Sequence, residues 1–429
     1  MSRKIIYLLL ILAIAAGLRL HAAVTTHEAP RDDALEYDIL AQNLSSGRGY
    51  VGALGAPTSF RPPLYPFLLA ALYSVFGHSY PAVRLFQACL DTLTVFLLYL
   101  IGRRIHSEKA GLLAGLFAAV YPSYVILTKF LFTETLFTFL LTLSVFLFLK
   151  VRGLKSKTAP IFLGLTLGFL ALARSTAMLL PAAYILVLLT SISRDKHRRA
   201  LYFSGLLLLA YSVTLAPWSL RNTVLHGRPV LISLNGGLNF YQAASPKGGK
   251  IFGLVPSDEN MQKAKAIANE AERDSFLFSK AVEKTFRNPL LGVKLAVMRA
   301  GFYWGFFDWE VQTGREYNYL YGFALPFFLA GLAACSKDVK RFGILLSVIA
   351  YFFLIILVSQ GTVRYRLPAD GCLFIIASCV IVDIVEKAKN KAARLSCIAG
   401  WFFANYWLFV NSGLAREFLK GLMRRIGIW

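Results

Sequence analysis

The chain has 429 residues, 57% of them hydrophobic and only 16% charged, with a formal net charge of +23. That charge density is too low for a soluble domain of this length. Apolar runs of roughly fourteen to twenty residues recur along it, which makes it an all-α polytopic membrane protein. The basic residues cluster in short loops between those runs, so membrane orientation and anionic headgroups account for the excess charge, and nucleic acid is excluded as the partner.

In chain order, Arg3 and Lys4 precede an apolar run from Ile5 to about Ala23, and their charge places the N-terminus in the cytoplasm. Only Ala22-Ala23 offers a weak small-residue cleavage site, so an uncleaved first helix is expected. The polar stretch Arg31 to Arg61 then lies outside. It opens on Asp32-Asp33 and closes on Arg61 before Pro62-Pro63. Leu64 to Gly77 is short for a crossing and is expected to lie in the interface. Pro81 to Ile101 comes in to Arg103 and Arg104.

From there the alternation is regular. Ala110–Leu127, Pro160–Ala173, Leu201–Ala216 and Gly343–Val358 go out. Leu136–Leu149, Met178–Ile192, Tyr319–Ala334 and Leu373–Val385 return, each to a loop rich in Lys and Arg. A crossing at Leu64–Gly77 would invert this order and put most of those charges outside. The large outer loop between Ala216 and Tyr319 is expected to hold a polar helix from Ser257, as N-cap, to Phe286, followed by an aromatic interfacial helix from Leu290 to Phe307. Leu395–Val410 would exit, and the side of the basic tail Arg416–Trp429 stays open. Cys89, Cys335, Cys372, Cys379 and Cys397 lack metal-ligand spacing and read as small core residues.

With topology assigned, the outer edge carries Asp32, Asp33, Glu36, Arg61, Glu134, Arg174, Arg221, Arg364 and Arg366. Arginine at outer span ends runs against the positive-inside bias, and a bound phosphate supplies a reason for it. Plain structural roles stand beside this: Asp32 or Asp33 as an N-cap, Glu134 as an interfacial carboxylate, Arg61 as a snorkelling anchor. Arg364 and Arg366 at a helix start repel the helix dipole unless an anion sits there. Asp33 and Tyr37, four apart, share a helix face. His21, His27, His78 and His226 read as loop or interface residues.

The order of these pieces resembles the protein mannosyltransferase and aminoarabinose transferase superfamily. The pieces are the acidic pair, Gly47-Arg48-Gly49-Tyr50, Arg61-Pro62-Pro63-Leu64-Tyr65-Pro66, Thr133-Glu134, Pro217-Trp218 with Arg221-Asn222, Asn235-Gly236-Gly237-Leu238-Asn239, and Arg364-Tyr365-Arg366-Leu367-Pro368. The resemblance implies a GT-C fold of about 11 transmembrane helices, with interfacial helices in the first and the large outer loops. It implies a catalytic unit over 1–385, including outer loops 24–80 and 217–318, and a terminal helix with a basic tail over 386–429.

It further implies a hexosyl or pentosyl transferase of inverting stereochemistry in the inner (cytoplasmic) membrane, with its site on the outer face. The implied partners are a polyprenyl-phosphate sugar donor, a glycan, lipid or protein acceptor, and membrane lipids. Asp33 is the expected base, with Asp32 as the alternative register and Glu134 as the second carboxylate. Arg61, Arg364, Arg366 and Arg221 are expected on the donor phosphate. Tyr37, Tyr65, Arg174, Trp218 and Asn222 are expected in the substrate cavity. Where some relatives carry a metal-binding Glu before Pro-Pro, this chain has Ser59 and Phe60, which leaves a divalent metal open. Two further classes fit the composition: a transporter or lipid flippase, which would carry mid-membrane charges, and a polymerase or ligase using a pyrophosphate carrier.

Overall fold

The computed structural model describes residues 2–245, 258–305, 318–335, 338–359, 363–387 and 391–411, and the regular elements among them are helices. α1 (Arg3–Val24) leads to α2 (Asp33–Ser45), α3 (Leu64–Phe76) and α4 (Tyr80–Ile105). The next outward run is two helices, α5 (Glu108–Val120) and α6 (Pro122–Leu127), because Pro122 has no N–H to continue the ladder. α7 (Glu134–Val151), α8 (Thr158–Ala173), α9 (Leu180–Ser191) and α10 (His197–His226) follow. The large loop carries α11 (Gly236–Ala243), α12 (Glu259–Ala266), α13 (Glu270–Arg287) and α14 (Pro289–Trp304). α15 (Tyr319–Cys335), α16 (Val339–Val358), α17 (Val363–Glu386) and α18 (Lys391–Val410) complete the described chain.

Among the described residues, six helices are long and apolar enough to cross a membrane: Arg3–Val24, Tyr80–Ile105, Glu134–Val151, Arg194–His226, Val339–Val358 and Val363–Glu386. Four shorter apolar helices accompany them: Leu64–Phe76, Thr158–Ala173, Ser175–Ser191 and Tyr319–Ala333. The chain is thus a multi-pass all-α membrane protein. Glycines let its helices approach closely. A Cβ on Gly164 of α8 would lie 2.3 Å from the Leu207 carbonyl of α10, and one on Gly111 of α5 would lie 2.5 Å from the Tyr99 carbonyl of α4.

Two expectations are corrected. The polar helix of the large loop is two helices, because Ile267 leaves the helical region. Asp258 caps α12, accepting from the Met261 N–H at 3.0 Å, and Asn269 caps α13, accepting from Ala271 at 2.9 Å. The expected cap Ser257, the aromatic pair Phe306 and Phe307, and the tail from Arg416 lie outside the described residues. The run from Leu201 also does not stop at Ala216. α10 continues through Pro217 to His226 and ends on Gly227 in the left-handed region at φ 67°. Trp218, Arg221 and Asn222 are therefore helical residues.

One buried charge went unrecognised in the sequence. Arg19 of α1 is fully buried and pairs with Asp91 of α4 at 2.5 Å. Its other donors reach the carbonyls of Ala119 (2.7 Å), Ala118 (2.9 Å) and Ala15 (3.1 Å). The Ala118 carbonyl is the one that Pro122 leaves without its i+4 donor. The guanidinium thus satisfies the α5–α6 break in the bundle interior, where water is not available to do so. Removing one partner strands a buried charge. Asp91→Leu alone is expected to destabilise the protein by about 3–5 kcal/mol, read by thermal unfolding in detergent, with Arg19→Met/Asp91→Leu recovering part of the loss.

Candidate active site at three helix N-termini

The first turn of α2, the N-terminus of α7 and the N-terminus of α17 converge on one cavity of about 870 Å³. Its wall includes Asp32, Asp33, Glu36, Tyr37, Arg61, Arg174, Arg364 and Tyr365, with Asn235, Leu238, Asn239 and Gln242 from the large loop. Asp33 is the first residue of α2, and Asp32 before it holds φ 50° and ψ −127°, a conformation rare outside glycine. That bend turns the chain into the helix with Asp33 directed at the arginines.

Three carboxylates and three guanidiniums alternate here, all on the cavity wall except Glu134, which is buried behind it. Arg61 Nε donates to Glu36 Oε2 at 2.6 Å, and its Nη2 donates to Asp33 Oδ1 at 2.6 Å. Arg364 Nη1 donates to Asp33 Oδ2 at 3.0 Å, and its Nε donates to Glu134 Oε1. Arg174 Nη1 donates to the same Glu134 oxygen at 2.9 Å. Aromatic faces back the cations: Tyr37 and Phe60 lie 5.3 and 5.2 Å from Arg61, Phe132 lies 4.4 Å from Arg364, and Tyr365 lies 5.0 Å from Arg174. Burial opposes the charged form of Asp33, but the guanidiniums of Arg61 and Arg364 outweigh it and hold the carboxyl below its ordinary value.

The remaining expected site residues have other surroundings. Arg366 turns away from the cavity, because two residues along a helix is about 200° of rotation from Arg364. It is 2% exposed, donates to Asp370 Oδ1 at 2.9 Å and to the Tyr303 carbonyl at 2.5 Å, and lies 3.4 Å from the Tyr321 ring. It ties α17 to α14 and α15. Tyr65 is buried behind Tyr37 and donates to Gln87 Oε1 at 2.7 Å. Trp218, Arg221 and Asn222 stand behind Arg61 and brace it from α10. Arg221 donates to the Thr58 carbonyl at 2.7 Å, and Asn222 accepts from Ser59 Oγ at 2.8 Å. Trp218 meets the Tyr50 ring edge-on at 4.8 Å, and the Tyr50 hydroxyl donates to the Arg61 carbonyl at 2.9 Å. Asp32 lines the cavity but forms no ion pair among the described residues.

Asn239, from the Asn235–Asn239 motif, lines the cavity, as do Gln242 and Lys129, which were not singled out from sequence. Lys129 had a signal, being a cation at the outward end of an apolar run. A divalent cation has a poor donor set here. Phe60 offers no ligand atom, the arginines take both oxygens of Asp33 and Oε1 of Glu134, and no group of three His, Cys, Asp or Glu side chains is disposed to hold a metal among the described residues.

α11 reaches the cavity because Gly237 lets it pack on α13. The Gly237 N–H donates to Asp274 Oδ1 at 2.7 Å, and a Cβ there would fall 2.0 Å from the Asp274 carbonyl. Gly237→Ala is therefore expected to destabilise by about 1–3 kcal/mol in thermal unfolding. Gly236→Ala, with nothing within 4 Å, is expected to be neutral or better.

Residues 60–218 match a family model described as dolichyl-phosphate-mannose-protein mannosyltransferase. A comparison with curated protein sequences gives no match. Among solved structures, the chain is similar to the oligosaccharyltransferase AglB of Archaeoglobus fulgidus in complex with an inhibitory peptide and a dolichol-phosphate. The TM-score is 0.60 and the identity 13%, over 96% of this chain and 55% of that one. The apo form of the Archaeoglobus fulgidus oligosaccharyltransferase gives 0.59 and 14%, over 94% and 55%. ArnT from Cupriavidus metallidurans bound to undecaprenyl phosphate gives 0.44 and 16%, over 87% and 76%. The chain spans about half the length of the oligosaccharyltransferases. Its fold is that of the GT-C glycosyltransferases, as the sequence resemblance implied.

Proposed function

We propose that this GT-C chain is a glycosyltransferase of the cytoplasmic membrane that moves a hexosyl or pentosyl unit from a polyprenyl-phosphate donor to a hydroxyl of a cell-envelope acceptor, whether lipid, polysaccharide or protein. The site faces outward and the N-terminus lies in the cytoplasm. The observation that carries this reading is the single chain of contacts Glu36–Arg61–Asp33–Arg364–Glu134–Arg174, in which all but the buried Glu134 line one cavity. The match of residues 60–218 and the dolichol-phosphate in the similar oligosaccharyltransferase support a lipid-phosphate ligand.

A phosphate makes the same demand on a guanidinium fork as a carboxylate does. A donor phosphate therefore competes with Asp33 for Arg61 and Arg364. The exchange moves two positive charges from Asp33 to the phosphate, which makes the carboxylate more basic once the donor is seated. The acceptor oxygen then attacks the anomeric carbon and Asp33 takes the hydroxyl proton. The bond from the anomeric carbon to the phosphate oxygen breaks, and its electron pair leaves with the lipid phosphate. Arg61 and Arg364 stabilise that departing charge where it develops. Attack from the face opposite the phosphate inverts the centre. Glu134 holds Arg364 and Arg174 in place, and Arg221, Trp218 and Asn222 position Arg61 from behind. Asn235, Asn239 and Gln242 offer amide groups to sugar or acceptor hydroxyls.

The buried pair Arg19–Asp91 does not argue for a transporter, since the Arg19 contacts to Asp91 and three backbone carbonyls make it a structural fixture.

Asp33→Asn is expected to keep expression and lower transfer from a polyprenyl-phosphate sugar by about 10²–10⁴-fold. Full activity in that variant would sink the assignment. The pH dependence gives a second check. The free-enzyme Asp33 carboxyl lies below its ordinary value, so the acidic limb of kcat/KM is expected below pH 3.8. Arg364→Gln removes one lowering charge, so it is expected to move that limb upward and to raise KM for the donor. An unmoved limb would contradict the role given to Arg364.

A further inference from the structure

At the opposite end of the same helices lies a second pocket, of about 380 Å³, lined by Arg104, Ile105, Leu149, Arg152, Gly153 and Arg341. α7 connects the two. Glu134 stands at its N-terminus and Arg152 caps its C-terminus, 18 helical residues or about 27 Å away. The three arginines come from the ends of α4, α7 and α16. Each is anchored through a backbone carbonyl of a neighbouring element: Arg104 on Leu149 at 3.0 Å, Arg341 on Ile105, and Arg152 on Lys340. The carbonyls of Ile105 and Leu149 belong to the last turns of α4 and α7, which carry partial negative charge.

Those anchors use one donor of each guanidinium, out of five. None of the three arginines forms an ion pair among the described residues, whereas their neighbour Arg103 pairs with Glu108 at 3.0 Å. Burial, and then the charge of Arg104, push the Arg152 guanidinium below its ordinary value, with Asp338 opposing. Three like charges held around one pocket repel one another unless an anion is shared between them. Their donor geometry matches a phosphate oxygen set.

We propose that this pocket is a binding site for the phosphate of an anionic phospholipid in the inner leaflet, separate from the catalytic cavity. The lipid source is favoured over free phosphate by depth. The apolar runs of α4 and α7 end at Ile101 and Leu149, and the helices themselves at Ile105 and Val151, so the arginines stand where a bilayer presents its headgroups. Ile105 and Leu149, both buried, floor the pocket with apolar surface on which the glycerol end of a lipid rests.

The test is native mass spectrometry of the delipidated full chain in detergent, titrated with dioleoyl phosphatidylglycerol, dioleoyl phosphatidylcholine or inorganic phosphate. The chain is expected to retain phosphatidylglycerol at least tenfold more tightly than phosphatidylcholine at one site. Arg104→Gln/Arg152→Gln/Arg341→Gln is expected to lose that preference. Should the triple variant fail to fold, Arg104→Gln against Arg104→Lys reads the same charge at the most exposed of the three positions. Lys155→Gln, on the same loop but not lining the pocket, is expected to leave the preference intact. Equal phosphatidylglycerol retention in the arginine variants and the unchanged chain would overturn the site. Inorganic phosphate that abolishes phosphatidylglycerol retention at millimolar concentration would overturn the lipid as its occupant.

Discussion

The arrangement of the helix N-termini around the cavity follows from one electrostatic constraint. Arg61, Arg174 and Arg364 are brought together with aromatic rings against them, and like charges set that close repel unless carboxylates stand between them. The chain meets this by alternation. Asp33 bridges Arg61 and Arg364, and Glu134, fully buried at the mouth of α7, bridges Arg364 and Arg174. Three separate helices, α2, α7 and α17, and the two segments that carry Arg61 and Arg174 are registered by those bridges. The same bridges hold three guanidiniums at set positions around the cavity, a preorganised array of positive charge.

Support for that network lies outside it. Asp38 of α2 accepts from the Tyr73 and Tyr80 hydroxyls at 2.6 and 3.0 Å, which clamps the Asp33 helix onto α3 and α4. Arg84 of α4 donates to the Lys129 carbonyl at 2.9 Å and to those of Thr26 and Glu28, which seats the loop ahead of the acidic pair. Glu270 of α13 accepts from Thr58 Oγ1 at 2.7 Å and the Ser59 N–H at 2.8 Å, so the large loop is fastened to the segment that ends in Arg61. The large loop and Arg61 are thus parts of one unit.

Much of this was legible in the chain itself. Arginines at outward span ends break the positive-inside pattern, and three of them, Arg61, Arg174 and Arg364, do converge with Asp33 and Glu134. What was not legible depends on helix phase and helix length. The pair Arg364 and Arg366 looks equivalent in sequence, but α17 begins at Val363 and sends the two to opposite faces. Pro217 reads as a helix end, yet α10 runs past it, and Trp218 and Asn222, expected in the cavity, and Arg221, expected on the donor phosphate, stand as braces behind Arg61. Arg19 is hidden in an apolar run, and its role appears only when the Pro122 break in another helix is placed beside it.

The most direct test of the central claim is a structure of the chain with a polyprenyl phosphate bound. The account predicts the phosphate between Arg61 and Arg364, with both guanidiniums turned from Asp33 to the phosphate oxygens and the Glu134 contacts to Arg364 and Arg174 kept. A lipid phosphate seated elsewhere, with both Asp33–arginine contacts intact, would contradict it.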